Sequence, residues 1–166
     1  MSIMWYEDKE LSIGFDHKPN THTIEILPSM SQAEKDLAEL YPFINCTALK
    51  VTLFDHIKQK KYEFVIIKHF RWDGCTIPRF AWWIIGSKTN PKFRIPSLLH
   101  DYLCNNKCLV NFDRAFSTKV FKACLKVAGV SKWKRNLMCY FVDLWQKFQT
   151  GWKSDNKNKK VSERHC

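Results

Sequence analysis

An imidazole beside a carboxylate, His100-Asp101, lies near the end of the run R-I-P-S-L-L-H-D-Y-L, and a second acid and a hydroxyl, Asp73 and Thr76, stand upstream in W-D-G-C-T-I-P-R. Imidazole is the side chain best suited to moving protons near neutral pH, and a carboxylate can orient it or raise its basicity. A hydroxyl within its reach is a weak nucleophile or a positioning group. On this reading His100 transfers the proton, Asp101 and Asp73 orient it, and Thr76 completes the catalytic set. Arg79, Trp82 and Tyr102 then face the substrate. The same residues also have a structural reading, in which Asp73 bonds the turn at Gly74 and His100 ties a helix to that loop.

Two metal readings follow from the same stretch. Asp73, His100 and Asp101 form an oxygen-rich set suited to a hard divalent ion. His100, Cys104 and Cys108 are spaced i, i+4, i+8, with Cys75 as a fourth ligand. The Asn105-Asn106-Lys107 segment breaks that helix face, and no C-x-x-C pair supports a zinc site. The chain also holds no Gly-rich phosphate loop, G-x-S-x-G elbow or H-E-x-x-H pattern, which weakens the common nucleotide enzymes and motif-bearing hydrolases.

The chain has 166 residues and is 45% hydrophobic, enough for one domain with a real core. No apolar run approaches the roughly 20 residues of a membrane span, and the N-terminal stretch M-S-I-M-W-Y-E-D-K-E carries no secretory signal pattern. We therefore expect no membrane association and no signal-directed export. Seven scattered cysteines, an odd number, read as free thiols in a reducing compartment.

The net charge of +11 is uneven: residues 1–40 carry −5, 41–150 carry +13 and 151–166 add +3. A basic body over residues 41–160 invites an acidic protein or nucleic acid, with Trp82, Trp83, Arg79, Lys88, Lys92 and Arg94 as stacking and phosphate contacts. The plainer reading is lysine on solvated helix faces.

The elements that must position these residues can be read from period and punctuation. L-S-I-G-F and T-I-E-I-L read as short strands, and S-Q-A-E at 31–34 spells a capping box for a helix with Ala33, Leu37 and Leu40 inward. A-L-K-V-T-L-F and K-Y-E-F-V-I-I-K-H-F read as a hairpin whose second strand runs into Arg71-Trp72-Asp73-Gly74. Helices are expected near Pro78, from Pro96, after Asn111 until Gly129, and from Ser131. In the last, Trp133, Leu137, Tyr140, Phe141, Leu144, Trp145 and Phe148 read as core.

D-G-C-T-I-P-R followed by L-L-H-D-Y-L resembles an uncharacterised family of small proteins found in bacteriophages and prophages. Its pattern is Asp-Gly-Ala-Ser-Ile-Pro-Arg, a Trp, a His-Asp-Tyr-Leu segment, and then an Arg-containing helix with an Ala-Asp pair. Asp73, Gly74, Ile77, Pro78, Arg79, His100, Asp101 and Tyr102 fall on matching positions, and Thr76 keeps the family's hydroxyl. Ser117 and Thr118 stand where the Ala-Asp pair belongs, so that carboxylate is lost unless Asp113 replaces it. The resemblance implies a phage origin and supplies no activity.

The expected fold is α+β: a single domain over 1–149, with a small antiparallel sheet from the N-terminal half packed by C-terminal helices, and a basic, disordered tail over 150–166. The expected protein is a phage-encoded, hydrolase-like enzyme, acting by general acid/base or metal-assisted chemistry in the host cytoplasm or the virion. The competing reading is a non-catalytic phage binding protein, either a virion component or an inhibitor of a host or defence factor, acting through its basic surface.

Overall fold

The computed structural model describes residues 3–74, 81–87, 90–104 and 114–149 (for 82 and 147–149, the backbone alone). The fold is α+β, and the chain divides into two compact units, Met1–Gly74 and Cys75–Cys166.

The first unit holds seven strands in two antiparallel sheets. One sheet takes β1 (Ile3–Glu7), β2 (Leu11–Phe15), β5 (Leu49–Asp55) and β6 (Lys60–Ile66) in the order β1-β2-β5-β6. Alternation decides the inward face of the β5–β6 hairpin: Leu49, Val51 and Leu53 are buried on β5, and Tyr62, Phe64 and Ile66 on β6. The register sets Val51 opposite Phe64 and Leu53 opposite Tyr62, so the apolar rows meet across the ladder. Asp55 closes the hairpin with Oδ1, which accepts from the backbone N–H groups of Ile57 and Lys58. Asp8 does the same between β1 and β2, accepting from Glu10 and Leu11.

The second sheet is smaller, β3 (Thr21–Thr23), β4 (Phe43–Asn45) and β7 (Arg71–Trp72). Two expectations fail here. The strand T-I-E-I-L does not form: Ile24 donates to the carbonyl of Pro42, and beyond it the partner strand offers no N–H, because Pro42 has none. The long strand expected through His69 is cut at Ile66 by a turn in which His69 adopts φ of 65°. Its two halves join different sheets.

Asn45 holds that break together. Its backbone N–H donates to Phe70 and its carbonyl accepts from His69, at 2.9 and 2.7 Å. Its fully buried side-chain Nδ2 donates to the carbonyls of Thr47 and Ile67, at 2.6 and 3.1 Å. Phe43 packs against Trp72 beside it, ring centroids 5.5 Å apart.

The helix α1 (Gln32–Leu40) starts at the expected capping box, with Ser31 and Glu34 exchanging both bonds. The Ser31 backbone and hydroxyl hold the Glu34 carboxyl below the usual carboxylate range. Ala38 is its buried residue, while Leu37 and Leu40 are exposed, contrary to expectation. Local bonds, including Gln32 to Asp36 at 2.7 Å, hold this helix without an inward leucine face.

The second unit is helical: α2 (Trp82–Ile85), a 3-10 turn (Pro91–Phe93), α3 (Arg94–Cys104), α4 (Arg114–Val127) and α5 (Lys132–Gln149). Its core draws Ala81, Ile85, Phe93, Phe121, Leu125, Val130, Met138, Cys139 and Val142 together. Gly129, at φ of 76°, ends α4, and the Ser131 carbonyl accepts the first bond of α5 from Arg135, both as the sequence reading expects. The core reading of α5 holds for Leu137 and Phe141, which pack against this cluster, and is corrected for Trp133 and Tyr140, 54% and 60% exposed, and for Trp145, also exposed. Helix α5 turns Met138, Cys139 and Val142 inward, and its largest rings fall on other faces. Among the described residues, no helix is long and apolar enough to cross a membrane. The expected tail and the Asn111 cap lie outside the described residues.

Replacing Asn45 by alanine strands the carbonyls it serves, so Asn45→Ala should cost about 1–3 kcal/mol. Leu40→Ala on the exposed side of α1 should stay within about 0.5 kcal/mol. Urea denaturation of the two variants beside the wild type checks both; equal losses would contradict this account of the sheet junction.

Candidate functional site

Helix α3 carries His100, Asp101 and Cys104, and its buried side is Leu98, Leu99, Tyr102 and Leu103. Neighbours on a helix project about 100° apart, so His100 and Asp101 need not meet. Here the ring turns back, and His100 Nδ1 lies 3.5 Å from Asp101 Oδ1. The other nitrogen, Nε2, is 2.9 Å from Nε2 of Gln146 on α5 and 3.7 Å from the Cys104 sulfur one turn along α3. The same Gln146 amide donates to Cys104 Sγ at 3.0 Å. The Phe121 ring of α4 stands 5.1 Å from the imidazole, so all three long helices close on it.

With Gln146 Nε2 donating, His100 Nε2 must present its lone pair, which leaves the proton on Nδ1, facing Asp101. That is the arrangement of a base whose far nitrogen is steadied by a carboxylate. The His100 side chain is 11% exposed and that of Asp101 21%, so the cluster reaches solvent on its acid side.

One turn away along α5, Asp143 forms an ion pair with Arg114 at the start of α4. Arg114 is buried, whereas the Asp143 side chain is 29% exposed. Ser117 follows Arg114 by three residues and precedes Phe121 by four, which puts it on the same helix face. It is fully buried, and its hydroxyl has no hydrogen-bond partner among the described residues.

The other sequence candidates lie in the first unit, in the core of the second, or outside the described residues. Asp73 is half-buried at the end of β7, in the first unit, where Gly74 turns the chain at φ of 85°. Thr76, Arg79, Cys75, Cys108 and Asp113 lie outside the described residues, and of Trp82 only the backbone is described. Tyr102 is buried, 4% exposed. Among the described residues, no group of three or more His, Cys, Asp or Glu side chains is placed to hold a metal ion.

Gln146 and Asp143 were the residues missed, and a signal for Gln146 was present. The inward stripe of α5 runs Met138, Cys139, Val142, and its next member, four residues on, is a glutamine. A polar residue in an apolar stripe needs a partner, and on these helices the partner is His100.

The family model described as "Protein of unknown function (DUF1353)" matches residues 51–142, more than half of the chain. The chain belongs to this family. No curated protein matches it, and no solved structure does. The match spans Asp73, His100, Asp101 and Arg114 and ends immediately before Asp143, so Asp143 and Gln146 lie beyond the matched residues.

Asp143→Asn removes the charge opposite a buried guanidinium. Allowing for the exposed side of the pair, the expected loss is about 1–3 kcal/mol. The double variant Arg114→Met, Asp143→Leu should recover most of it, since both charges then leave the interior. Urea midpoints of the two variants decide the matter, and a double variant less stable than Asp143→Asn would contradict the pairing.

Proposed function

We propose that this protein is a hydrolase-like enzyme in which His100 transfers protons and Asp101 orients it. The observation that supports this is the two-sided engagement of one imidazole, Nδ1 toward Asp101 and Nε2 toward Gln146 and Cys104. The reaction fitting these groups is attack on an acyl carbon. Nε2 exchanges its bond from the Gln146 amide for the proton of the Cys104 thiol, and sulfur bonds to the carbon. The leaving group departs with that proton, and water then cleaves the thioester with His100 as base. The Gln146 amide, bonded to both sulfur and ring, holds them in one geometry. A phage origin, with action in the host cytoplasm or the virion, completes the proposal.

A second reading has its own support. His100 is largely enclosed, and residues 75–166 hold eighteen Lys/Arg against five Asp/Glu. On that reading the cluster is a bonded polar core, and the protein acts by binding an acidic partner.

Alkylation of the native protein by iodoacetamide, followed by mass spectrometry, separates the two. Burial pushes the Cys139 thiol up to about 11 and that of Cys124 higher still, so both should stay unmodified. Cys104 should react, and His100→Gln should slow it at least about tenfold, a typical scale for losing a positioned base. Equal rates at Cys104 in wild type and His100→Gln would remove the enzyme reading.

A further inference from the structure

The start of α5 presents to solvent what a helix of this length ordinarily hides. Trp133 and Tyr140 are 54% and 60% exposed, and a spacing of seven residues puts them on one face, about 10 Å apart along the axis. The Lys134 ammonium stands 5.5 Å from the centre of the Trp133 ring, and 3.5 Å from the carbonyl oxygen of Ile85. It thereby joins the indole to a neighbouring cleft of about 240 Å³, lined by Lys92, Lys134, Asn90, Phe93, Val130 and Ser131 among others. Lys122 and Arg135 both lie close enough to Cys139 to act on its thiol, so positive charge continues from α5 onto α4.

Little opposes this charge. Asp101 and Asp143 are the only acids among the described residues of the unit, and Asp143 is taken by Arg114. Lysine alone would fit any polyanion. Exposed flat rings beside it narrow the partner to one that offers planar groups and phosphates alternately. Nucleic-acid bases stack on aromatic side chains without regard to sequence, but only when they are unpaired. A duplex would engage the lysines and leave both rings idle.

We propose that the Trp133–Tyr140 face of α5, with the Lys92–Lys134 cleft beside it, binds single-stranded nucleic acid without sequence preference. The inference deepens the binding reading of the basic surface and makes no use of His100, whose partner Gln146 lies thirteen residues further along α5.

The test is fluorescence anisotropy of a labelled oligothymidylate of about 20 nucleotides, run against the whole chain at ~50 and ~200 mM salt. The wild type should bind and weaken steeply with salt. Trp133→Ala and Tyr140→Ala, both at exposed positions, should each weaken binding by about fivefold or more. The Lys92→Ala, Lys134→Ala pair should flatten the salt dependence, and His100→Gln should change nothing. A duplex that binds as well as the single strand would overturn the proposal. If heparin and the oligonucleotide bind alike and Trp133→Ala has no effect, the nucleic-acid assignment fails while the basic-surface reading stands. If neither polyanion binds, both fail.

Discussion

Gln146 occupies a position on α5 that the helix turns inward, and its amide must find partners away from water. A buried amide left unbonded costs about 1–3 kcal/mol. Two groups of α3, His100 and Cys104, meet its Nε2, at 2.9 and 3.0 Å. Much of the helical unit follows from this. The register of α5 against α3 is pinned at Gln146, Phe121 of α4 closes on the imidazole, and Asp143 is brought to Arg114. The imidazole then has little freedom, with one nitrogen facing an amide and the other facing a carboxylate. The proposed proton transfer would rest on the same bonds as the packing.

Charge separates the two units as clearly as secondary structure does. Residues 1–74 hold nine Lys/Arg and eleven Asp/Glu, nearly balanced, and two of their aspartates, Asp8 and Asp55, are spent on turns. The helical unit is strongly basic, and one of its few acids neutralises a buried arginine. Such a surface repels itself and draws anions from a distance. The acyl chemistry and the polyanion surface proposed above are compatible on one small unit, because they would occupy different turns of α5.

How much of this was legible in the chain depends on the range of the interactions. Local signals were read well: the S-Q-A-E capping box, the stop at Gly129, the start at Ser131 and the period-two hairpin of β5 and β6 all depend on residues within a few positions. Errors came where a distant partner decides. Only the carbonyl of Pro42, met across a strand pair, shows why the ladder stops at Thr23. Trp133 and Tyr140 fit an apolar period, yet Met138, Cys139 and Val142 fit it as well, and side-chain size did not choose between the faces. At the site, His100 and Asp101 were evident as residue types. Their meeting with Gln146, forty-six residues away, depends on how three helices pack and leaves only the trace of a glutamine in an apolar stripe.

The central claim is that His100 holds its neutral-form proton on Nδ1 and keeps Nε2 as an acceptor. An amide can turn over, and with its oxygen toward the ring Nε2 would have to carry the proton instead. Long-range proton–nitrogen correlation spectra of the ¹⁵N-labelled protein read the tautomer of each histidine directly. The account predicts the Nδ1–H form for His100, with a signal that shifts in Gln146→Leu. An Nε2–H form, or a ring signal indifferent to Gln146→Leu, would contradict it.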